Sequence, residues 1–531
     1  MRKFALAMLA VVVVAAPAMA ELQNVQVGGE IRIRANYYSN AAAAKGTGTQ
    51  IVWPNFFLPR RAIGSGSFIG AANNGVGGIV SSILFDDDDN NSRDFVEQRT
   101  RLAVRADFTN EVSAFIELDS YDIWGQDFRS NYVTGADASA NSVDDVEVYQ
   151  AYIQAENMWG FPLRMRIGRQ EMSLGSEWLI GTNDASSFFQ GLSFDGVRLD
   201  YATDLFSITA FHTIVAEGGS FAEDDDDVTV SGIYGSYTGL EDITIDAYWL
   251  FVRDPRRLND TNFIAPLEWI EDIFGLDDYD AGNLHTIGLR GAGQIGAFDF
   301  EAEAAWQTGD YASRQGFGFK PFIYGDDDAE YDSWGANLEL GYTFDVNMQP
   351  RVYLGGAYFD GEDDRDVTFL DWINPFSQPD ASISFNRLFS NWEYSEFLSN
   401  TDLSNAYVIR AGVSASPTES IDVLLALSYF QALEEFDEPL NWSVGGFKLP
   451  VAPALSFLTE ENDSDLGWEA GLYVTYNYTE DLTFEIGWAH FFADDGAADG
   501  QFVGGNGLSF VGGAGEDDDA DYLYFETRIG F

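Results

Sequence analysis

The stretch "DYLYFETRIGF" (521–531), at the end of the chain, decides the fold class. Its alternate positions carry Leu523, Phe525, Thr527, Ile529 and Phe531. The positions between them carry Tyr522, Tyr524, Glu526 and Arg528. Side chains of a β-strand alternate between two faces with a period of two, so the stretch predicts a strand with one apolar face.

The same alternation recurs along the whole chain. In "VQVGGEIRIRANYY" (25–38), Ile31 and Ile33 alternate with Arg32 and Arg34. Counted in this way, the sequence predicts eighteen strands: 25–38, 96–108, 112–124, 146–156, 163–169, 194–201, 205–215, 228–238, 243–253, 285–293, 298–308, 334–344, 350–360, 406–416, 421–431, 466–478, 482–492 and 521–531.

The connections between these strands alternate in length. Eight are short, and the other nine are long: 39–94, 125–145, 170–193, 216–227, 254–284, 309–333, 361–405, 432–465 and 493–520. This asymmetry is typical of transmembrane barrels, which have tight periplasmic turns and long external loops. We therefore predict an all-β, antiparallel, up-and-down transmembrane β-barrel of about 18 strands. A propeller or solenoid would show a fixed repeat, and none is found.

The start of the chain and its composition agree with export. "MRKFALAMLAVVVVAAPAMA" (1–20) has a basic start, a short apolar run and an A-x-A end, so it predicts a signal peptide followed by a single barrel domain over 21–531. The chain has no cysteine and therefore no disulfide framework. With 86 acidic and 28 basic residues, its net charge of −58 argues against nucleic acid as a partner.

Several stretches resemble the outer-membrane alginate-export porins. They are "LRMRIGRQEMSLGSEWLIGTND" (163–184), "FDGVRLDY" (194–201), "FDFEAEAAWQTGDY" (298–311), "QPRVYLGGAYFDGEDD" (349–364), "FNRLF" (385–389) and "LGWEAGLYVTYNYTEDLTFEIGWAHF" (466–491). The resemblance implies an eighteen-strand barrel whose arginine-rich conduit passes an anionic polyuronate outward. The chain departs from the family's pattern at Glu177, Trp178 and Asp184, where its setting is aromatic and acidic.

Strand parity selects the residues expected to line the pore. Twelve arginines fall on the polar face: Arg32, Arg34, Arg99, Arg101, Arg105, Arg164, Arg166, Arg198, Arg290, Arg351, Arg410 and Arg528. The candidate carboxylates on that face include Glu117, Asp119, Glu301 and Glu303. Two interpretations stay open, because arginines can form a track for an anionic cargo or can pair with carboxylates to brace neighbouring strands.

Enzyme signatures are missing from the sequence. There are three histidines, His212, His285 and His490, and no G-x-S-x-G, H-E-x-x-H or Walker motif. We expect no catalytic residue, no cofactor and no metal site. The acidic runs of the long connections, such as 86–89 and 223–227, are interpreted as solvated loops, with weak divalent-cation binding as the alternative.

The sequence thus predicts a porin of the outer membrane of a Gram-negative-type bacterium. It would pass an anionic polysaccharide, or small anionic or sugar solutes, by passive diffusion. The alternatives are a general diffusion porin without an alginate role and a structural or adhesive surface barrel. The expected partners are the lipid bilayer, lipopolysaccharide and the insertion machinery, which reads a terminal strand ending in Phe531.

Overall fold

A computed structural model of the chain describes the strands and parts of their connections. The described residues are 22–39, 92–109, 111–124, 130–131, 136–137, 146–182, 184, 191–216, 227–254, 282–310, 329–361, 381–382, 384–398, 403–434, 437–439, 441–444, 447–450, 459–461, 463–496 and 519–531. The predicted signal peptide lies outside this part, as do nearly all of the acidic runs.

Eighteen long strands, numbered β1 to β18 in chain order, make up the described barrel. They are β1 Asn24–Ser39, β2 Arg93–Thr109, β3 Val112–Ile123, β4 Glu147–Ala155, β5 Leu163–Gln170, β6 Phe194–Ala202, β7 Phe206–Ala216, β8 Val228–Leu240, β9 Ile243–Asp254, β10 Gly282–Ile295, β11 Phe298–Asp310, β12 Ala329–Thr343, β13 Arg351–Phe359, β14 Ala406–Thr418, β15 Ile421–Ala432, β16 Asp465–Asn477, β17 Leu482–Ala493 and β18 Ala520–Gly530. Each overlaps one predicted strand, so the predicted fold class is confirmed. Short strands of two to four residues occur in the long connections.

Each strand pairs antiparallel with its sequence neighbours, and β1 pairs antiparallel with β18. The sheet is therefore a closed barrel, which leaves no strand edge with unpaired amides. At the seam, Phe531 N donates to Gly29 O (3.0 Å) and Gly29 N donates to Phe531 O (2.9 Å). A Cβ at position 29 would lie 2.6 Å from Arg101 O and 2.7 Å from the Phe531 ring, so this closure requires glycine.

The two faces of the barrel wall differ in chemistry. Alternate residues such as Ile116, Ile153 and Ile167 are exposed and form an outer apolar surface, whereas Arg101 and Asp119 on the opposite face are buried. Aromatic residues mark both ends of the outer surface. Trp249, Trp334, Trp468 and Trp488 lie toward the long connections, and Phe298, Phe344, Tyr476 and Phe531 lie toward the short ones. Such belts occur at the two interfaces of a membrane.

In the part of the chain that the structure describes, no helix is long and apolar enough to cross a membrane.

Candidate functional site

Two long connections fold back into the barrel. Residues 171–182, the first inner segment, follow β5, and residues 384–398, the second inner segment, precede β14. Their backbones are joined where Phe389 N donates to Leu179 O (2.8 Å) and Gly181 N donates to Phe389 O (2.9 Å). The two segments form one body, called the partition below. The sequence did not predict that these connections enter the barrel.

An aromatic core holds the partition together. Trp178 is fully buried, and its ring stacks at 5.8 Å from Phe385 and 6.1 Å from Phe359 of β13. Its Nε1 donates to the hydroxyl of Tyr394 (3.1 Å). Burying one large apolar side chain contributes on the order of 1.5–3 kcal/mol. The aromatic stretch "FNRLFSNWEYSEFL" (385–398) therefore gains more by folding inward than by remaining in water.

Hydrogen bonds fix the partition to the barrel wall on separate strands. On β11, Gln307 Oε1 accepts from Asn386 N and Gln307 Nε2 donates to Asn386 O, both at 2.7 Å. On β16, Glu469 accepts from the backbone N–H of Glu396 (3.0 Å). Ser176 of the first inner segment donates to Glu303 of β11 (3.0 Å). The partition thus reaches from β11 to β16 across the interior.

Asp184, where the chain departs from the family's pattern, lies among three arginines of β1 and β2. Its carboxylate forms an ion pair with Arg99, and it lies 3.3 Å from Arg101 Nη1 and 3.7 Å from Arg32 Nη1. These guanidinium groups are buried, so Asp184 compensates their charge where water cannot. The connection after β5 is therefore also held against β1 and β2.

A β-bulge adds an aromatic ring to this cluster. The pairing of β3 with β4 skips Tyr149, which turns its side chain inward. The Tyr149 ring centroid lies 4.0 Å from Arg101 Cζ, and its hydroxyl donates to Glu171 (2.6 Å). Burial raises the pKa of Glu171. Beside it, Gln150 donates to Glu117 (2.6 Å).

Most of the predicted pore-lining arginines are paired with carboxylates. The pairs are Arg32 and Arg34 with Glu526, Arg99 and Arg528 with Glu30, Arg101 with Asp119, Arg105 with Asp107, Arg290 with Asp246 and Glu301, and Arg351 with Asp299 and Glu339. Most of these contacts join neighbouring strands, whereas the Arg105–Asp107 pair lies within β2 and Arg351 reaches Asp299 of β11 across β12, and all of them cancel charge locally. For these residues the geometry favours bracing over a free anion track.

Three arginines on β5 and β6 differ from this pattern. Arg164 and Arg198 share one carboxylate, Asp200, at 2.9 Å each. Arg166 donates from Nε and Nη2 to the amide oxygen of Gln154 (3.2 and 3.0 Å). Among the described residues, no carboxylate lies within ion-pair distance of Arg166. The three arginines, called the basic patch below, therefore carry more positive charge than their partners cancel.

A cavity of about 420 Å³ lies beside the second inner segment. Gln349, Ser416 and Asp422 place it toward the short connections. Its lining carries the carboxylates of Glu393, Glu396, Asp422, Glu469 and Glu485, and the guanidinium of Arg410. Neutral groups bind several of these carboxylates: Tyr473 donates to Glu396, Tyr524 to Glu485 and Ser416 to Asp422. We call it the acidic cavity.

Arg387, within the second inner segment, is the one arginine of the partition. It is 1% exposed, and its Cζ lies 4.9 Å from the ring centroids of both Phe359 and Tyr394. Its Nη2 donates to Ser390 Oγ (2.9 Å) and to Trp392 O (2.7 Å), while Nε and Nη1 have no hydrogen-bond partner. Burial lowers the pKa of Arg387 to about 10, which leaves it charged at neutral pH.

The three histidines lie on the outward strand faces, toward the long connections. His212 contacts Ser231 (2.8 Å), His490 contacts Asp521 (2.9 Å), and His285 stacks on Phe251 at 4.5 Å. Within the described part of the chain, no three His, Asp or Glu side chains form a group that could hold a metal ion.

A family model described as alginate export matches residues 84–503, which is most of the chain. The chain belongs to the alginate export family. The resemblance carried by "LRMRIGRQEMSLGSEWLIGTND" and the other stretches is thereby confirmed. Together with the closed barrel, membership indicates a channel in the outer membrane, in contact with lipid and lipopolysaccharide, and a transporter rather than an enzyme.

Solved porin structures resemble this family member over nearly its whole length. Pseudomonas aeruginosa OccK11 (OpdR) is 9% identical with a TM-score of 0.47, and 97% of this chain and 99% of that chain are covered. Acinetobacter baumannii OccAB1 is 11% identical with a TM-score of 0.48, and 95% of this chain and 96% of that chain are covered. Vibrio cholerae OmpT is 9% identical with a TM-score of 0.38, and 96% of this chain and 99% of that chain are covered. No curated protein sequence matches the chain.

Sequence reasoning missed the residues that build the partition. Arg387 and Phe389 occur in "FNRLF", a stretch that carries the family resemblance but has no strand parity to assign its side chains to a face. Tyr394 follows in a stretch with five aromatic residues between 385 and 397, which is an unusual composition for a solvated loop. That composition was the available signal for inward folding.

Proposed function

We propose that the protein is a passive outer-membrane channel for carboxylated saccharides, such as a polyuronate or its oligomers. The observation that carries this proposal is the basic patch, in which Arg164 and Arg198 share the carboxylate of Asp200 and Arg166 contacts only the amide oxygen of Gln154 among the described residues. Arginine suits carboxylate recognition, since its planar fork binds both oxygens and stays charged in a confined site. Membership of the alginate export family supports the same cargo class.

The basic patch lies toward the periplasmic end, if the short connections are periplasmic as in other barrels of this kind. Arg164 is the second residue of β5, directly after a short connection. Cargo arriving from the periplasm would meet these guanidinium groups before it reaches the partition. We therefore propose the patch as the receiving site for the cargo carboxylates.

A general diffusion porin without an alginate role is the second candidate. The observation that favours it is the pairing of the β1, β2, β10 and β13 arginines with carboxylates, which leaves little free positive charge along those strands. The two candidates differ in whether uronate oligomers bind in the channel. A structural barrel would conduct no ions at all.

Replacing Arg166 by glutamine is expected to weaken block by mannuronate oligomers by about 10-fold or more. A hydrogen bond to a charged group contributes about 1.5–3 kcal/mol, and about 1.4 kcal/mol corresponds to a factor of ten. The measurement is single-channel recording of the refolded mature protein in a planar bilayer, with oligomer added on each side in turn.

Arg105→Gln is the matched control, because Arg105 also lies near the short connections but is paired with Asp107 at 3.0 Å. It should leave the block close to that of the wild type. Equal block by the oligomers in the wild type and in Arg166→Gln would contradict the proposal that the basic patch binds the cargo carboxylates. Conduction without any block by the oligomers would favour the general porin.

A further inference from the structure

Arg410, which lines the acidic cavity, and Arg387, which packs on Tyr394 of the same lining, differ from the braced arginines of the wall. Arg387 Cζ lies 4.9 Å from the Tyr394 ring centroid and Arg410 Cζ lies 5.4 Å from it. Within the described part of the chain, neither guanidinium has a carboxylate at ion-pair distance. Arg387 Nε and Nη1 and Arg410 Nε are buried without a hydrogen-bond partner. The two cations contact the same ring, and no described carboxylate pairs with either of them.

The burial of an unpaired guanidinium is costly, and the two aromatic rings and two hydrogen bonds of Arg387 offset only part of that cost. A methionine in its place would fill similar space without charge but would lose the hydrogen bonds to Ser390 and Trp392. Those bonds use only Nη2, so bracing does not account for the buried Nε and Nη1 groups. An anion that binds reversibly would accept hydrogen bonds from these N–H groups and balance the guanidinium charge.

The acidic cavity restricts which anion can bind. Its five carboxylates repel multiply charged anions, but they accept hydrogen bonds from hydroxyl groups. Tyr394, Tyr473 and Tyr524 also line the cavity and add aromatic surface to it. A ligand with one carboxylate and several hydroxyls can pair with the arginines and also donate hydrogen bonds to the carboxylates. Phosphate and sulfate can do only the first, and a neutral sugar can do only the second.

We propose that Arg387, Tyr394 and Arg410 form a binding site for a single carboxylated sugar unit at the wall of the partition. The sugar hydroxyls bind the carboxylates of the acidic cavity, and the sugar carboxylate binds Arg410 and then Arg387. Tyr394 contacts both guanidinium groups through its ring, and its hydroxyl donates to Asn337 (3.0 Å) and accepts from Trp178 (3.1 Å). A carboxylate that reaches Arg387 displaces this ring and so loosens the partition. This inference rests on the proposed function for the identity of the cargo.

The test is a fluorescence titration of the refolded full-length protein in detergent. Trp392 reports on the site, because its backbone oxygen accepts from Arg387 and its Nε1 donates to Ser176 O (2.7 Å). Sodium glucuronate should give a saturable change, and glucose and sodium acetate should bind at least 10-fold more weakly. Arg387→Met and Arg410→Met should each weaken glucuronate binding at least 10-fold.

Arg351→Met is the control, because Arg351 is paired with Asp299 and Glu339 and lies on the wall. It should bind glucuronate like the wild type. The proposal is overturned if the wild type shows no response, or if Arg387→Met binds as tightly as the wild type. If Arg387→Met does not fold, the glucuronate titration is made with Arg387→Lys and Arg410→Met instead. Wild-type affinity for glucuronate in both of these variants would overturn the proposed site.

These results separate the inference from the proposed function, because the titration requires no flux. Arg387-dependent binding without oligomer block in the bilayer would contradict the proposed channel function and leave the site standing. Oligomer block that persists unchanged in Arg387→Met, with no fluorescence response in the wild type, would contradict the site alone.

Discussion

A Trp178→Ala channel is expected to conduct several-fold more current than the wild-type channel. Trp178 is fully buried between Phe359 of the wall and Phe385 of the second inner segment. Truncation of a buried tryptophan to alanine costs on the order of 3–5 kcal/mol. That loss falls on the contacts that join the inner segments, so the partition should open while the strand pairing of the barrel persists.

Single-channel conductance in a planar bilayer measures this effect. Trp334→Ala is the control, because Trp334 is 54% exposed on the outer surface and touches neither inner segment. Its conductance should equal that of the wild type. Wild-type conductance in Trp178→Ala would contradict the claim that the partition limits the current through the channel.

An Asp184→Asn channel is expected to become more selective for anions. The change removes one negative charge from among Arg32, Arg99 and Arg101, whose remaining partners stay in place. A unit charge about 8 Å from the ion path changes the occupancy of each permeant ion about twofold at an effective dielectric constant of about 80 and about thirtyfold at about 20, in opposite directions for anions and cations. The connection after β5 should also be held less firmly.

The reversal potential under a salt gradient measures this selectivity. Asp195→Asn provides the comparison, since Asp195 pairs with Arg169 at the outer surface, where both side chains are about half exposed. It removes the same charge from the protein without removing it from the interior. An unchanged reversal potential in Asp184→Asn would show that the ion path does not pass the β1–β2 arginines.

The sequence predicted the barrel well because strand alternation is a local property. In β1 and β18, each side chain's face follows from its neighbours two positions away, and the opposite chemistries of the two faces follow from a closed wall in lipid. Counting such stretches therefore gave eighteen strands, and parity separated Arg32 and Arg34 from Ile31 and Ile33.

The interior could not be predicted in the same way, because its contacts join distant parts of the chain. Asp184 reaches Arg32 across 152 positions (184 − 32), and nothing in the local pattern selects that carboxylate among the acids of the chain. The turn of Tyr149 toward Arg101 depends on a bulge that parity cannot show. The partition depends on packing between two connections that have no periodicity of their own.

The sequence pattern also does not show which arginines keep an uncompensated charge. Parity placed twelve arginines on one face, but only register and loop packing determine which of them keep a free charge. Arg105 and Arg166 have similar settings in the sequence, yet one meets Asp107 and the other meets the amide of Gln154. The basic patch and the unpaired Arg387 follow from these local differences and not from the number of arginines.

The proposed preference of the channel for carboxylated saccharides is tested most directly by measuring the flux of such a cargo. Proteoliposomes containing the wild-type protein would be loaded with mannuronate oligomers and with neutral mannose oligomers of the same length, and release of both would be followed over time. We expect the mannuronate oligomers to leave faster than the neutral ones, and Arg166→Gln to reduce this difference. Equal release of the two oligomers, or faster release of the neutral one, would contradict the proposed preference.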